Sequence, residues 1–333
     1  MNAVPDRLIE TLAQARRIIL AGHVSPDVDA LGAMLALARA VPTREVAVSL
    51  GGKPVQGRLA FMLELGECRL AETGDVGRAE VVVVVDTANT RRIGIEGGWD
   101  TIADKFVVNI DHHITNEDFG RLNWVAGDTA STSEMVYQLI RSAGWPIDPK
   151  TATLLLAGIH SDTCGFTLPT VTPETFETAA SLLRAGADLV RIGAQLFRSQ
   201  SLHEFKLIRA VYRNTRLACD GHVAYSTLTL AEIRDAGCTP ADIDEQVSIP
   251  RSLSGVRMGI LLSEIEPGIV RVNLRGEDGT PVLPVAEALG GGGHAFAAGA
   301  RLRGAMDEVL ERVLSAAAAC LASDTGAPIE ASR

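Results

Sequence analysis

Short hydrophobic runs alternate with longer helical patterns along the first half of the chain. Three runs of aliphatic and β-branched residues are typical of buried strands: Arg17–Ala21, Val81–Val85 and Phe106–Ile110. Glu45–Leu50 alternates apolar and polar residues and predicts a further strand. The unbroken run Val81–Val85 indicates a central parallel strand, because only such a strand is covered on both faces.

Helical patterns lie between and after these strands. The Ser131-x-x-Glu134 spacing is that of a capping box and predicts a helix as far as Ser142. The other predicted helices are Pro5–Leu12, Leu31–Ala38, Thr151–His160 and Pro173–Ala185. Strands that alternate with helices predict an α/β fold with a doubly wound parallel sheet.

The pattern changes in the second half, where strands follow one another closely. Strands are predicted at His222–Leu228, Gly255–Glu264 and Ile269–Arg275, followed by helices at Pro284–Leu289 and Met306–Leu321. This half is predicted to be a smaller α/β domain. The predicted organisation is a first domain over 1–190, a helical linker over 191–214, a second domain over 215–322 and a disordered polar tail over 323–333.

The composition argues against some classes of protein function. The net charge of −10 argues against a sequence-independent binder of long nucleic acid, which needs a basic face to neutralise many phosphates. The five cysteines have neither metal-site spacing nor a disulfide framework, so we expect a reducing, cytoplasmic setting. The first ten residues do not resemble a signal peptide, and Val81–Val85 is too short to span a bilayer, so no membrane association is expected.

Candidate metal ligands lie on the turn between the first buried strand and the helix that follows. The segment Gly22–Ala30 contains His23, Asp27 and Asp29. In an extended turn, two carboxylates spaced two residues apart point to opposite sides, so each could serve a different cation. Imidazole with carboxylates suits Mn²⁺ better than Ca²⁺. The alternative is a capped turn, with Asp27 or Asp29 as the helix N-cap and His23 on the surface.

Three further positions carry the same kinds of side chain where other predicted elements end. Asp86 follows the central strand, His112 and His113 follow the next one, and Asp162 ends a helix. Each alone is also compatible with a helix cap or a core histidine pair. Together they would meet at one edge of a parallel sheet, where ligands bind. Asp86 is placed to bridge two cations, and two neighbouring cations can activate water for phosphoryl chemistry.

These motifs, in this order, resemble those of the DHH phosphoesterase superfamily. The matching residues are His23-x-x-Pro26-Asp27-x-Asp29, the strand-terminal Asp86, Asp111-His112-His113 and Ser161-Asp162-Thr163. Gly290–His294, continuing to Gly299, is similar to the signature of the DHHA1 substrate domain. The length and two-domain layout are similar to those of the stand-alone oligoribonucleases of this superfamily that also hydrolyse pAp.

The resemblance implies a catalytic domain over 1–190, a substrate-binding domain over 215–322 and a metal cleft between the two domains. It also implies a role for each matched residue. His23, Asp27 and Asp86 would hold one Mn²⁺, and Asp29, Asp86, His112 and Asp162 would hold the other. His113 would face the scissile phosphate as a hydrogen-bond donor or general acid, while Asp111 would orient an imidazole. Cys164 stands where the superfamily more often has Gly, and we expect it to be a small buried residue.

Substrate contacts are implied in the second domain. Asn273 and Arg275 match the strand that meets substrate phosphate, and His294 would contact a terminal phosphate or base. In the glycine run, the N–H groups of Gly291, Gly292 and Gly293 can form a concave anion site; the alternative is a flexible hinge. Arg271 is expected to be a solvated or cross-strand charge.

The predicted function is hydrolysis of short oligoribonucleotides or linear dinucleotides to mononucleotides, and of pAp to AMP. Two alternatives remain open: a phosphodiesterase for cyclic or linear di-AMP, and a non-catalytic nucleotide-binding protein. Aromatic residues make up 4% of the chain, and no basic-aromatic stretch provides a groove that tracks a long strand. The sequence leaves a homodimer open.

Overall fold

The computed structural model describes residues 3–43, 45–52, 55, 57–240, 243, 245–277 and 279–323. The chain divides into two compact units, Met1–Ser199 (unit 1) and Gln200–Arg333 (unit 2). Residues 324–333 of the predicted disordered tail lie outside the described residues. Within the described residues, no helix combines the length and apolar character that crossing a membrane requires.

Unit 1 is built on a fully parallel five-stranded sheet with the strand order β2-β1-β3-β4-β5. The strands are β1 (Arg17–Ala21), β2 (Glu45–Ser49), β3 (Val81–Val85), β4 (Phe106–Asp111) and β5 (Leu122–Val125). All five valines of β3 are buried, as expected of the central strand. This parallel sheet confirms the α/β fold predicted for the first half of the chain.

Most helices of unit 1 pack against one face of this sheet, whereas the other face is covered by the short helix that contains Val76 and by the segments around Ile93 and Ile102. The helices are α1 (Asp6–Gln14), α2 (Val28–Ala40), α3 (Ala60–Gly66), α4 (Asp75–Arg78), α5 (Thr132–Ser142), α6 (Pro149–Asp162), α7 (Pro173–Arg184) and α8 (Leu189–Phe197). Gly32 lets α2 approach α6 closely, because a Cβ there would lie 2.6 Å from the carbonyl oxygen of Leu154. Helix α2 is buried almost throughout as a result.

Unit 2 contains a mixed six-stranded sheet with the strand order β10-β11-β9-β8-β7-β6. Its strands are β6 (Arg216–Ala218), β7 (Val223–Leu228), β8 (Met258–Glu266), β9 (Ile269–Gly276), β10 (Gly292–His294) and β11 (Ala297–Arg303). Its helices are α9 (Leu202–Asn214), α10 (Leu230–Asp235), α11 (Ser248–Arg251), α12 (Leu283–Ala288) and α13 (Met306–Ser323). Among the strand pairs of unit 2 that the structure describes, only β7–β8 is parallel.

The two faces of this second sheet are covered differently. Val270, Val272 and Leu274 of β9 pack into a core with α12 and α13. On the opposite face, α9, α10 and the segment around Val247 cover Leu228 and Leu261, which lie on β7 and β8. The layer formed by α9, α10 and this segment therefore lies over the half of the sheet that contains β7 and β8.

The structure differs from the predicted organisation in two respects. The predicted linker 191–214 is divided between the two units: α8 packs Ile192 and Leu196 into the core of unit 1, whereas α9 packs Leu207 and Val211 into that of unit 2. Strands β5, β6, β10 and β11 were absent from the sequence prediction. Strand β11 is rich in Ala and Gly, so it lacks the β-branched residues by which strands are recognised.

Candidate metal centre

Six predicted metal ligands come together at the carboxyl edge of the parallel sheet. We call them the acidic centre: His23, Asp27, Asp29, Asp86, His112 and Asp162. They form overlapping groups whose ligand atoms lie within 4.8 Å of one another: His23, Asp27 and Asp86; Asp29, His112 and Asp162; and Asp86, His112 and His113. His23, Asp86 and His112 follow β1, β3 and β4 at this edge, Asp27 and Asp29 lie at the start of α2, and the C-terminal end of α6 carries Asp162.

Asp86 lies at the middle of the acidic centre. Its Oδ2 is 3.7 Å from Nε2 of His23, and its Oδ1 is 3.6 Å from Nε2 of His112. The side chain is almost fully buried and also accepts a hydrogen bond from the hydroxyl of Thr132. Its backbone adopts a left-handed conformation with φ of 51°, which ends β3 abruptly at the residue that faces both imidazoles.

Asp27 combines two functions that the sequence presented as alternatives. Its Oδ1 caps α2 by accepting hydrogen bonds from the backbone N–H groups of Asp29 and Ala30, both at 3.0 Å. Its Oδ2 faces Nε2 of His23 at 3.6 Å. The expectation of an extended turn around Asp27 and Asp29 is wrong, because Asp29 already lies in the first turn of α2. The two carboxylates nevertheless join different groups within the acidic centre.

Asp29 is fixed by the N-terminus of α5. Its two carboxylate oxygens accept hydrogen bonds from the backbone N–H groups of Thr132, at 2.7 Å, and Ser133, at 2.9 Å. Gly158 leaves room for this contact, since a Cβ there would lie 2.7 Å from Oδ1 of Asp29 and 2.0 Å from Oγ of Ser133. The sequence prediction missed this part of the site, because Thr132 and Ser133 lie more than a hundred residues from Asp29.

The second histidine of the pair has a different environment. Nδ1 of His113 lies 2.7 Å from Oδ1 of the fully buried Asp111, and Asn116 donates a hydrogen bond to Oδ2 of the same carboxylate. The His113 side chain remains 41% exposed, whereas that of His112 is 16% exposed. His112 instead lies 3.3 Å from Asp162 through Nε2. The structure therefore separates a buried imidazole from one that reaches solvent.

The electrostatics of the acidic centre favour a bound cation. Burial, together with the charges of Asp29 and Asp27, raises the pKa of Asp86 well above its usual range and that of Asp162 to about 8. Burial likewise raises the pKa of Asp29. The hydrogen bond to Asp111 raises the pKa of His113. Carboxylates and imidazoles in this arrangement fit divalent metal ions, which would relieve the repulsion among the acids.

The expectation that Cys164 is buried is wrong. Cys164 is exposed, and its backbone is left-handed with φ of 47°. This conformation disfavours side chains other than Gly, which gives a physical reason for the glycine that the resemblance implies at this position.

The predicted substrate residues of unit 2 lie on one cross-strand face. Asn273 and Arg275 alternate with the buried Val272 and Leu274 along β9. Asn273 pairs with Gly299 of β11, and Arg275 pairs with Ala297. Arg271 is not a solvated or cross-strand charge: it donates hydrogen bonds to the carbonyl oxygens of Pro240 and Ile243.

The glycine run is part of the sheet rather than a loop. Gly292, Gly293 and His294 form β10 and pair with Gly299, Ala298 and Ala297 of β11. A Cβ on Gly293 would lie 2.6 Å from Cα of Ala298, and one on Gly291 would lie 2.1 Å from the carbonyl oxygen of Gly299. Close packing of β10 on β11 thus explains Gly291 and Gly293, while the anion contacts expected of the glycine N–H groups stay a prediction. The side chain of His294 lies outside the described residues.

Comparison with known proteins gives consistent matches over most of the chain. Residues 17–159 match the DHH family, N-terminal domain, and residues 220–323 match the DHHA1 domain. The bifunctional oligoribonuclease and PAP phosphatase NrnA of Thermus thermophilus is 34% identical over 90% of this chain and 88% of that protein. The protein of the same name from Bacillus subtilis is 30% identical over 89% of this chain and 92% of that protein.

A solved structure has the same architecture. The exopolyphosphatase-related protein of Bacteroides fragilis superposes with a TM-score of 0.85 at 26% sequence identity. The superposition covers 96% of each chain.

Proposed function

Because the chain belongs to the DHH family and is a hydrolase that acts on phosphoester bonds, we propose that it hydrolyses short oligoribonucleotides to mononucleotides and pAp to AMP. The relatives named oligoribonuclease and PAP phosphatase support this choice of substrates, since they match nearly the whole chain. The observation that carries the proposal is the position of Asp86, whose two oxygens face His23 and His112. One carboxylate between two ligand groups is typical of two-metal phosphoesterase chemistry.

The acidic centre fits two divalent cations, and we assign Mn²⁺ to them. His23, Asp27 and Asp86 would hold one cation, and Asp29, Asp86, His112 and Asp162 would hold the other. When bound, such a pair lowers the pKa of water and stabilises negative charge at phosphorus. Asp29 keeps its orientation through the N–H groups of α5, so the ligand geometry exists before any cation binds.

His113 is proposed to act on the substrate. Its contact with Asp111 fixes Nδ1 and favours the protonated imidazole. Its partial exposure lets Nε2 reach a substrate phosphate or a leaving oxygen. A histidine held in this way can donate a hydrogen bond or a proton to the oxygen that leaves phosphorus. Asn116 supports the arrangement by donating a hydrogen bond to the other oxygen of Asp111.

In unit 2, Asn273 and Arg275 are proposed to bind a substrate phosphate. Both side chains are half-buried and lie on the face of β9 opposite Val272 and Leu274. The guanidinium of Arg275 would form charge-assisted hydrogen bonds to phosphate oxygens, and the Asn273 amide would add a neutral one. The glycine strand leaves open space at Gly292, where a Cβ would meet nothing within 4 Å.

A substrate panel tests the proposal. The purified protein with Mn²⁺ is incubated with pAp, RNA of two to five nucleotides, a twenty-nucleotide RNA, pApA, cyclic di-AMP and pyrophosphate, and products are separated by chromatography. We expect the highest kcat/KM on RNA of two to four nucleotides, with pAp also hydrolysed. A strong preference for cyclic di-AMP would favour the alternative phosphodiesterase, and no turnover of any substrate would favour a nucleotide-binding protein.

A further inference from the structure

The polar face of the β9–β11 pair is laid out in cross-strand rows. One row contains Ala297, Arg275 and Gly259, and the next contains Gly292, Gly299, Asn273 and Leu261. A third row contains Arg301, Arg271 and Ser263. Residues that pair directly share a face of the sheet, so the third row extends the surface that bears Asn273 and Arg275.

The two arginines of the third row differ in their exposure and in their hydrogen bonds. Arg271 is half-buried and donates hydrogen bonds to the carbonyl oxygens of Pro240 and Ile243. Arg301 is exposed, and among the described residues no carboxylate forms an ion pair with it. In a chain with a net charge of −10, an arginine beside other basic groups and without an acidic partner is available for an anionic ligand.

The two sides of β9 are covered differently on this face. At Gly259, on the β8 side, an added Cβ would lie 2.7 Å from Arg251 of α11. At Gly299, on the β11 side, the three closest atoms would all belong to Val272 and Asn273 of the neighbouring strand. Among the described residues, the covering layer thus reaches β8 and Arg271, while Arg301 on β11 is exposed.

We propose that Arg301 binds a second phosphate of an oligonucleotide whose first phosphate is bound by Arg275, and that it thereby sets the preferred substrate length. This inference rests on the proposed function. Arg275 and Arg301 lie two rows apart, which corresponds to about 14 Å between their backbone positions, at about 3.4 Å per residue. A chain of a few nucleotides spans this distance with successive phosphates, whereas both phosphates of pAp lie on a single nucleoside.

The experiment compares substrates of different length. Values of kcat/KM for pAp, pApA and a tetranucleotide are measured with Mn²⁺ for wild type, Arg301→Gln, Arg301→Lys and the control Arg312→Gln. Arg312 is an exposed arginine of α13, away from this face. We expect Arg301→Gln to lower kcat/KM about tenfold on the tetranucleotide and less than about twofold on pAp, because it removes one charge-assisted phosphate contact.

The salt dependence of kcat/KM distinguishes loss of a phosphate contact from a structural effect of the substitution. For the tetranucleotide, the slope of log kcat/KM against log salt concentration should become less negative by about 0.7 in Arg301→Gln, the value for one phosphate contact on a single strand. Arg301→Lys should retain the wild-type slope because it keeps the charge. Arg312→Gln should change neither the slope nor the length profile.

The outcomes are distinct. Equal losses on pAp and the tetranucleotide, or no loss on either, with active wild type would overturn the inference and leave the proposed function intact. An unchanged salt slope in Arg301→Gln would do the same, and would point to an acidic protein partner or to an ordinary solvated charge. Wild-type protein without activity on any RNA would overturn both the proposed function and this inference.

Discussion

The acidic centre of unit 1 and the arginine face of unit 2 hold their polar side chains in opposite ways. In unit 1, Asp29 and Asp111 are buried, and each of their oxygens accepts a hydrogen bond or faces an imidazole. In unit 2, Arg275 is half-buried and Arg301 is exposed. The contrast indicates that unit 1 is preorganised for chemistry, whereas unit 2 has side chains that can adapt to ligands of different length.

The largest effect is expected at the residue shared by the two halves of the acidic centre. Asp86→Asn should abolish measurable turnover, a larger loss than the about 100- to 10,000-fold expected for a general acid, because it weakens both ligand groups at once. Metal content by elemental analysis should fall in parallel. Asp307→Asn, an exposed position on α13, is the matched control and should retain both activity and metal. Full activity of wild type after exhaustive chelation would contradict a metal-dependent centre.

Substitutions in the histidine pair are expected to have the second largest effect. They distinguish a residue that binds metal from one that acts on the substrate. His113→Gln should lower kcat by about 100- to 10,000-fold, the range for loss of a general acid, while bound metal stays near the wild-type level. His112→Gln should lose bound metal as well, since His112 lies near both Asp86 and Asp162. Equal metal loss in the two variants would show that His113 is a ligand instead.

These two regions also differ in how far the sequence predicted them. The strand ends at Asp86 and Asp111 were predictable because continuous valine and isoleucine runs mark parallel strands, and the polar residue that follows such a strand falls on a known edge. The contact of Asp29 with α5 was not predictable, because it depends on how α2, α5 and α6 pack around Gly158. Packing of this kind has no local signal.

In unit 2 the motif was recognisable but its conformation was not. A run of glycines favours a loop, yet tertiary pairing with β11 places Gly292–His294 in an edge strand. Arg301 carries no motif and follows a stretch rich in Ala and Gly. Its relation to Asn273 and Arg275 becomes visible only once the strand register is known.

Loss of the proposed phosphate contact of Arg275 is expected to have the third largest effect. Arg275→Ala should raise KM about 10- to 100-fold, or about 1–3 kcal/mol, with a smaller change in kcat, because a charge-assisted bond to phosphate is lost away from the reacting atoms. Unlike Arg301→Gln, it should affect pAp and RNA alike. Steady-state kinetics on pAp and a dinucleotide measure both parameters. A loss confined to kcat would place Arg275 at the reaction instead.

The smallest effect concerns the stability of the scaffold that presents the acidic centre. Asp148 caps α6 by accepting a hydrogen bond from the N–H of Thr151 at 2.8 Å, and it pairs with Arg39 of α2. These two helices carry Asp162 and Asp29. Burial opposes the shift, but the contacts with Thr151 and Arg39 lower the pKa of Asp148 to about 2. A lowered pKa stabilises the fold above about pH 4, where the unfolded carboxyl is ionised, and this contribution is lost as the pH falls towards 2.

Asp148→Ala should therefore lower the free energy of unfolding by about 1 kcal/mol at pH 7, a value typical of an N-cap, because solvent screens the half-exposed pair with Arg39. Urea unfolding at pH 7, 5, 4 and 3 measures the difference from wild type, which should shrink below pH 4. Asp188→Ala is the control, since Asp188 caps α8, a helix that carries none of the candidate ligands. It should cost a similar amount at pH 7. A difference between Asp148→Ala and wild type that stays constant down to pH 3 would show that the carboxylate charge contributes nothing, and that the tie between α2 and α6 rests on packing alone.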